Sequence, residues 1–279
     1  MLVNLNDVLI PARRGKYAVG LFNTVNLELA RGVMEAAEEL DSPVIIGTAE
    51  VLLPYGPLED LANLLIPMAE RASVPVVVHL DHGLKEETCR QALDLGFSSI
   101  MYDCSTMEYE ANIEHVKRMA ETAHACGASI EAELGHVGDN GGEDPSLFYT
   151  DSAQARDFIE RTGADALAIA VGTAHGAYKL PPKLDFNRIT EIAENIPTPL
   201  VLHGGSGLSD SDFRTAVERG ISKVNIFTDI NQACARAAAL GYREGMGLTD
   251  IILPEIEAVK QSVMEKMRLF GSVGRGSER

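Results

Sequence analysis

Eight short apolar runs, each followed by a stretch with helical spacing, most narrow what this chain can fold into. The clearest is Val76-Val77-Val78-His79-Leu80, β-branched and without polar alternation, as in a strand covered on both faces. It stops at Asp81-His82-Gly83. The other runs are Tyr17–Phe22, Val44–Gly47, Ser98–Tyr102, Ser129–Leu134, Ala166–Ala170, Leu200–Leu202 and Lys223–Ile226. Between them the spacing predicts helices at about 26–40, 58–72 (with Pro67 as a kink), 85–95, 108–126, 152–162, 186–194 and 209–219. A short helix over 6–14 comes first, and a helix from Asp229 and an amphipathic one over about 252–270 come last.

That alternation predicts an α/β fold, a (β/α)8 TIM barrel with a short N-terminal helix and an extra C-terminal helix. The 279 residues, 46% of them apolar, suit a single domain over 1–279, with no linker or composition shift to divide it. Residues 271–279, rich in Gly, Ser and Arg, read as a flexible tail, and Gly135–Pro145 as a loop. A net charge of −17 argues against nucleic acid and anionic membrane surfaces. A small anionic substrate stays open, because backbone amides and a metal bind phosphate locally. No stretch approaches the roughly 20 apolar residues of a membrane span, and no basic-then-apolar leader opens the chain. Cys89, Cys104, Cys126 and Cys234 form no CxxC pair, which suits a reducing cytoplasm.

A parallel barrel gathers the C-terminal ends of its strands at one mouth. The predicted strands end, in order, near Asn23, Thr48, Asp81 with His82, Asp103, and Glu131 with Glu133. Then come Gly172-Thr173-Ala174-His175-Gly176, His203-Gly204-Gly205-Ser206-Gly207, and Asn225 with Thr228 and Asp229. A lone strand histidine is commonly a hydrogen-bonded core residue, and His79 reads that way. Three of the seven histidines (His82, His175 and His203) meeting several carboxylates at one mouth suit a catalytic divalent metal instead, Zn2+ above all. His115, His124 and His136 lack a strand-end address, although His136 adjoins the loop. The turn Gly204–Gly207 with Asn225–Thr228 occupies the usual phosphate position. Lys223 sits at the start of the eighth run, at the barrel end away from the mouth, and Lys179 and Lys183 fall in a loop. None of these is a buried lysine at a strand's C-terminal end, which favours a metal over a lysine Schiff base as the electrophile at the mouth.

These motifs, with Leu80-Asp81-His82, Glu131-Ala132-Glu133-Leu134-Gly135 and Asn225-Ile226-Phe227-Thr228, resemble in order those of class II metal-dependent fructose/tagatose-bisphosphate aldolases, closer to the tagatose-type branch. The resemblance runs from about Tyr17 to Asn231. It implies a metal-stabilised enediolate formed from dihydroxyacetone phosphate (DHAP), which joins or leaves an aldehyde. His82, His175 and His203 would bind the catalytic Zn2+, Glu133 would be an alternate ligand, and Asp103 would lie at a second divalent cation. Asp81 would be the general acid/base. Gly176, Gly204, Gly205, Ser206, Asn225 and Thr228 would hold the DHAP phosphate, with Na+ or K+ bridging carbonyls of Gly176 and Gly204. Asn23 and Thr48 match substrate-side positions. The acid that moves the proton alpha to the ketone would be Glu143, with Asp144 as competitor. Phe227 departs from the aspartate or small residue of the two branches, and no second phosphate-binding arginine stands in the motifs. A homodimer or homotetramer is implied. The rival readings are a zinc hydrolase, disfavoured because the first run ends in Phe22-Asn23 rather than an HxH pair, and an accessory subunit, which would have lost the ligands.

Overall fold

The computed structural model describes residues 1–137, 149–173 and 183–278. The eight predicted strands are present: β1 (Val19–Asn23), β2 (Val44–Ala49), β3 (Val76–Gly83), β4 (Ser99–Tyr102), β5 (Ser129–Leu134), β6 (Ala166–Ile169), β7 (Leu200–Leu202) and β8 (Ile221–Ile226). Every neighbouring pair is parallel, and β8 returns to pair with β1, which closes the sheet. The ten α-helices among the described residues are α1 (Leu5–Gly15), α2 (Leu27–Glu39), α3 (Leu58–Arg71), α4 (Glu86–Leu95), α5 (Tyr109–Ala125), α6 (Ser152–Thr162), α7 (Phe186–Asn195), α8 (Asp210–Arg219), α9 (Thr228–Gly241) and α10 (Leu248–Phe270). This is a (β/α)8 TIM barrel.

The apolar residues divide by strand parity into two layers. Val44, Ile46, Val76, Val78, Leu80, Ile100 and Ile130 face outward and are fully covered by the helices. Leu21, Ile45, Val77, Met101, Ala168 and Val201 face inward and fill the barrel, and Leu5, Val8, Leu9 and Ala12 of α1 join them. That short helix therefore plugs the barrel end opposite the mouth. Its start is fixed by a capping box between Asn4 and Asp7. From its last turn Arg13 donates to the carbonyls of Ala193, Ile196 and Thr198, satisfying acceptors at the end of α7, whose own last turn has no basic residue.

Helix α10 lies against α2 and α9, and Gly271, at φ 77°, then reverses the chain. Residues 271–278 are not the flexible tail that their composition suggests. Ser272 is fully buried with its hydroxyl bonded to Ser42, and the amides of Gly274 and Gly276 donate to the carbonyls of Leu40 and Asp41. Arg275 stacks over the Tyr17 ring.

Candidate active site

Along β3, inward-facing parity runs through Val77, His79 and Asp81, so a regular strand would turn His82 outward toward the helices. The chain breaks its regularity there. The β3–β4 register shifts between Leu80 and Gly83, and His82 adopts φ 42°, a left-handed conformation that costs a histidine on the order of 1 kcal/mol or more. This bulge brings Asp81 and His82 to the mouth as adjacent residues. Gly83 completes it: a Cβ there would collide with the Cys89 sulfur and lie 2.7 Å from the Met101 carbonyl oxygen.

The two described mouth histidines meet edge to face, with His82 Nε2 2.8 Å from His203 Nδ1. Each is held from behind by a carboxylate. His82 Nδ1 is 2.8 Å from Asp103 Oδ2, and His203 Nε2 is 2.7 Å from Glu131 Oε1. A carboxylate accepts, so the rear nitrogens carry the hydrogens and the facing nitrogens present their remaining valence to the mouth. Two nitrogens so close need a proton or a cation between them. Burial alone would lower the His82 pKa, but Asp81, the bond to Asp103 and Glu133 outweigh it and raise it to about 9.

Glu133 is fully buried, and its Oε2 has no hydrogen-bond partner among the described residues while lying 3.6 Å from His203 Nδ1. Ligand atoms of Asp81, His82 and His203 cluster closely enough for one metal ion, as do those of His82, Asp103 and Glu133. An orphaned carboxylate oxygen beside two converging imidazole nitrogens fits a divalent cation.

Asp81 is held on both oxygens: Asn23 Nδ2 donates to Oδ2 at 2.7 Å and Asn225 Nδ2 to Oδ1 at 2.9 Å. Burial would raise its pKa, but the charges of His82, His203 and Lys223 hold it far below the usual carboxylate range. The group is an ionised acceptor aimed into a cavity of about 520 Å³. Gly204, Gly205, Ser206, Asn225 and Thr228 line that cavity, as do Asp103, His136 and Phe227. Thr228 opens α9, whose first amides have no side-chain cap.

Thr48 is not among the lining residues. It stands in step with the outward-facing Val44 and Ile46, and its register partner is the outward-facing Leu80. Ala49, opposite Asp81, lines the cavity in its place. His79 is fully buried and bonded through Nδ1 to Ser99, and burial and then the charge of Lys223 lower its pKa to about 3. His175, Gly176, Glu143 and Asp144 lie outside the described residues.

Two residues with no role in the sequence reading belong here. Glu131 is the carboxylate behind His203, and Lys223 reaches it along the inner face, its Nζ 2.8 Å from Glu131 Oε2. The available signal was parity: Glu131 shares a face with Glu133, and Lys223 with Asn225.

The sequence model of the family described as Fructose-bisphosphate aldolase class-II matches residues 3–275. The chain is 40% identical over 287 residues to a fructose-bisphosphate aldolase of Geobacillus stearothermophilus, covering 99% of each. It is also 39% identical over 312 residues to that of Thermus caldophilus, covering 99% of this chain and 100% of the relative. The crystal structure of the YdjI aldolase from Escherichia coli K12 superposes with a TM-score of 0.90 at 37% identity, covering 99% of this chain and 100% of that one. A match over nearly the whole chain, with a metal-competent mouth at the strand ends, is decisive: the chain belongs to the class II fructose-bisphosphate aldolase family and is an aldolase, a carbon–carbon lyase.

Proposed function

We propose that the protein is a zinc-dependent aldolase that makes and breaks the bond between DHAP and an aldehyde, as in tagatose or fructose 1,6-bisphosphate. The observation that carries this reading is the convergence of His82 Nε2 and His203 Nδ1 beside a doubly tethered Asp81. His82, His203 and, beyond the described residues, His175 would hold the metal, with Glu133 as alternate ligand and Asp103 at a second divalent cation. The bound metal supplies an electron sink at the ketone oxygen of DHAP. In cleavage, Asp81 takes the proton from the hydroxyl on the carbon that becomes the aldehyde; in condensation it returns that proton. Asn23 and Asn225 keep its carboxylate aimed, and the charges of His82, His203 and Lys223 keep it ionised. Glu143, with Asp144 as competitor, moves the proton alpha to the ketone.

The Gly204–Ser206 turn, Asn225, Thr228 and the uncapped amides of α9 would hold the DHAP phosphate, together with Gly176 and a Na+ or K+ ion. No helix among the described residues is long and apolar enough to cross a membrane. A cytoplasmic homodimer or homotetramer of single-domain subunits completes the reading.

Condensation of DHAP with a panel of phosphorylated and unphosphorylated aldehydes, before and after chelation, tests it. Product that chelation abolishes and zinc restores is expected, and no product with any aldehyde despite bound zinc refutes it. Asp81→Ala should lower kcat by about 10²- to 10⁴-fold with zinc content unchanged by elemental analysis. Near-normal turnover would remove Asp81 from the mechanism.

A further inference from the structure

A fully buried lysine lies directly beneath the mouth. Its side chain is fully covered inside the barrel, and among the described residues its ammonium touches two groups: Glu131 Oε2 at 2.8 Å and Asn225 Oδ1 at 2.7 Å. Glu131 passes the contact on through its other oxygen to His203 Nε2 at 2.7 Å. Asn225 passes it on through Nδ2 to Asp81 Oδ1 at 2.9 Å. The apolar layer of Val77, Met101, Ala168 and Val201 fills the barrel interior from which this lysine rises.

We infer that Lys223 is a positioning residue, whose one ammonium sets the orientation of both a mouth histidine and the Asp81 carboxylate. The inference rests on the aldolase reading above. An ammonium donates three hydrogen bonds and accepts none. Asn225 must therefore turn its carbonyl oxygen to Lys223, which leaves only its NH2 for Asp81. Were the amide reversed, two oxygens would face each other at Asp81 and two donors at Lys223. On the other arm, Lys223 neutralises a carboxylate that would otherwise be buried beside His203. Glu131 then stays an acceptor, fixes the hydrogen of His203 on Nε2, and leaves Nδ1 for the mouth. Buried and ion-paired, Lys223 is unsuited to attack a ketone itself.

The test separates positioning from plain charge balance. Lys223→Met leaves Glu131 uncompensated and is prone to misfold, so the informative variant is the double substitution Lys223→Met with Glu131→Gln, whose buried pair is neutral. A purely structural ion pair predicts that this variant regains both stability and turnover. Positioning predicts a folded variant whose kcat is down about 100-fold, with the larger share of the loss in kcat rather than KM for DHAP. A folded double variant with turnover near wild type overturns the inference. A second readout needs neither substrate, metal nor variant: nitrogen NMR of the metal-free wild-type protein should show His203 protonated on Nε2. The opposite tautomer overturns the inference even if every variant fails to fold. Borohydride trapping of DHAP on Lys223 would overturn it too, by making the lysine a nucleophile. If the wild-type protein makes no product from DHAP, the aldolase reading fails while the tautomer still judges the orientation argument.

Discussion

His82 carries three demands at once: a left-handed backbone, a rear hydrogen bond to Asp103 and a nitrogen 2.8 Å from His203. In the metal-free protein its folded pKa, about 9, lies above the ordinary 6.5. A group raised in this way stabilises the fold fully below the unfolded value and loses that contribution as pH rises through the folded one. The chelated protein should therefore melt at progressively lower temperature as pH climbs from about 6.5 through about 9. His82→Gln should flatten that slope, and equal slopes in the two proteins would show that the proton sits elsewhere.

The β3 bulge matters because a local irregularity, not side-chain chemistry, makes Asp81 and His82 neighbours in the mouth. Gly83→Ala would press a methyl group against the Cys89 sulfur and the Met101 carbonyl. A loss of about 1–3 kcal/mol in urea unfolding is expected, with a fall in zinc affinity as His82 shifts. A variant as stable and as zinc-avid as wild type would mean that β3 absorbs the methyl group by moving. The sequence announces the strand through its β-branched run, but nothing in Asp81-His82-Gly83 declares a bulge. Strand ends were readable for a simple reason: a parallel barrel sends all of them to one mouth, so Asp81, His82, Asp103, Glu133 and His203 need only their addresses. Lys223 escaped because its address is misleading. Its Cα sits low on β8, yet a four-carbon stem carries the ammonium up to Asn225 and Glu131. Thr48 was misplaced by a single step, which in a strand turns a side chain to the other face.

Across the whole molecule, both ends of the chain are anchored to the barrel, α1 beneath it and residues 271–278 against the end of α2. Composition hid the second anchor, since Gly, Ser and Arg are also the residues of loose tails; what ties them down is the exposed end of a helix formed over 200 residues earlier. Truncation after Gly271 removes the Ser272–Ser42 bond and the two amide bonds to Leu40 and Asp41. At about 0.5–1.5 kcal/mol for each of the three bonds, the urea midpoint should fall by the equivalent of about 1.5–4.5 kcal/mol. An unmoved midpoint would show that the tail rests on the surface without holding it. The closed sheet also has a consequence in time. Val19 of β1 pairs with Lys223 of β8, a partner the ribosome adds about two hundred residues later. At roughly 5–20 residues per second, the open edge of β1 waits about 10–40 seconds for its neighbour. For that interval the nascent chain carries an unpaired, apolar strand edge, so the most aggregation-prone form of this protein is the one still being made.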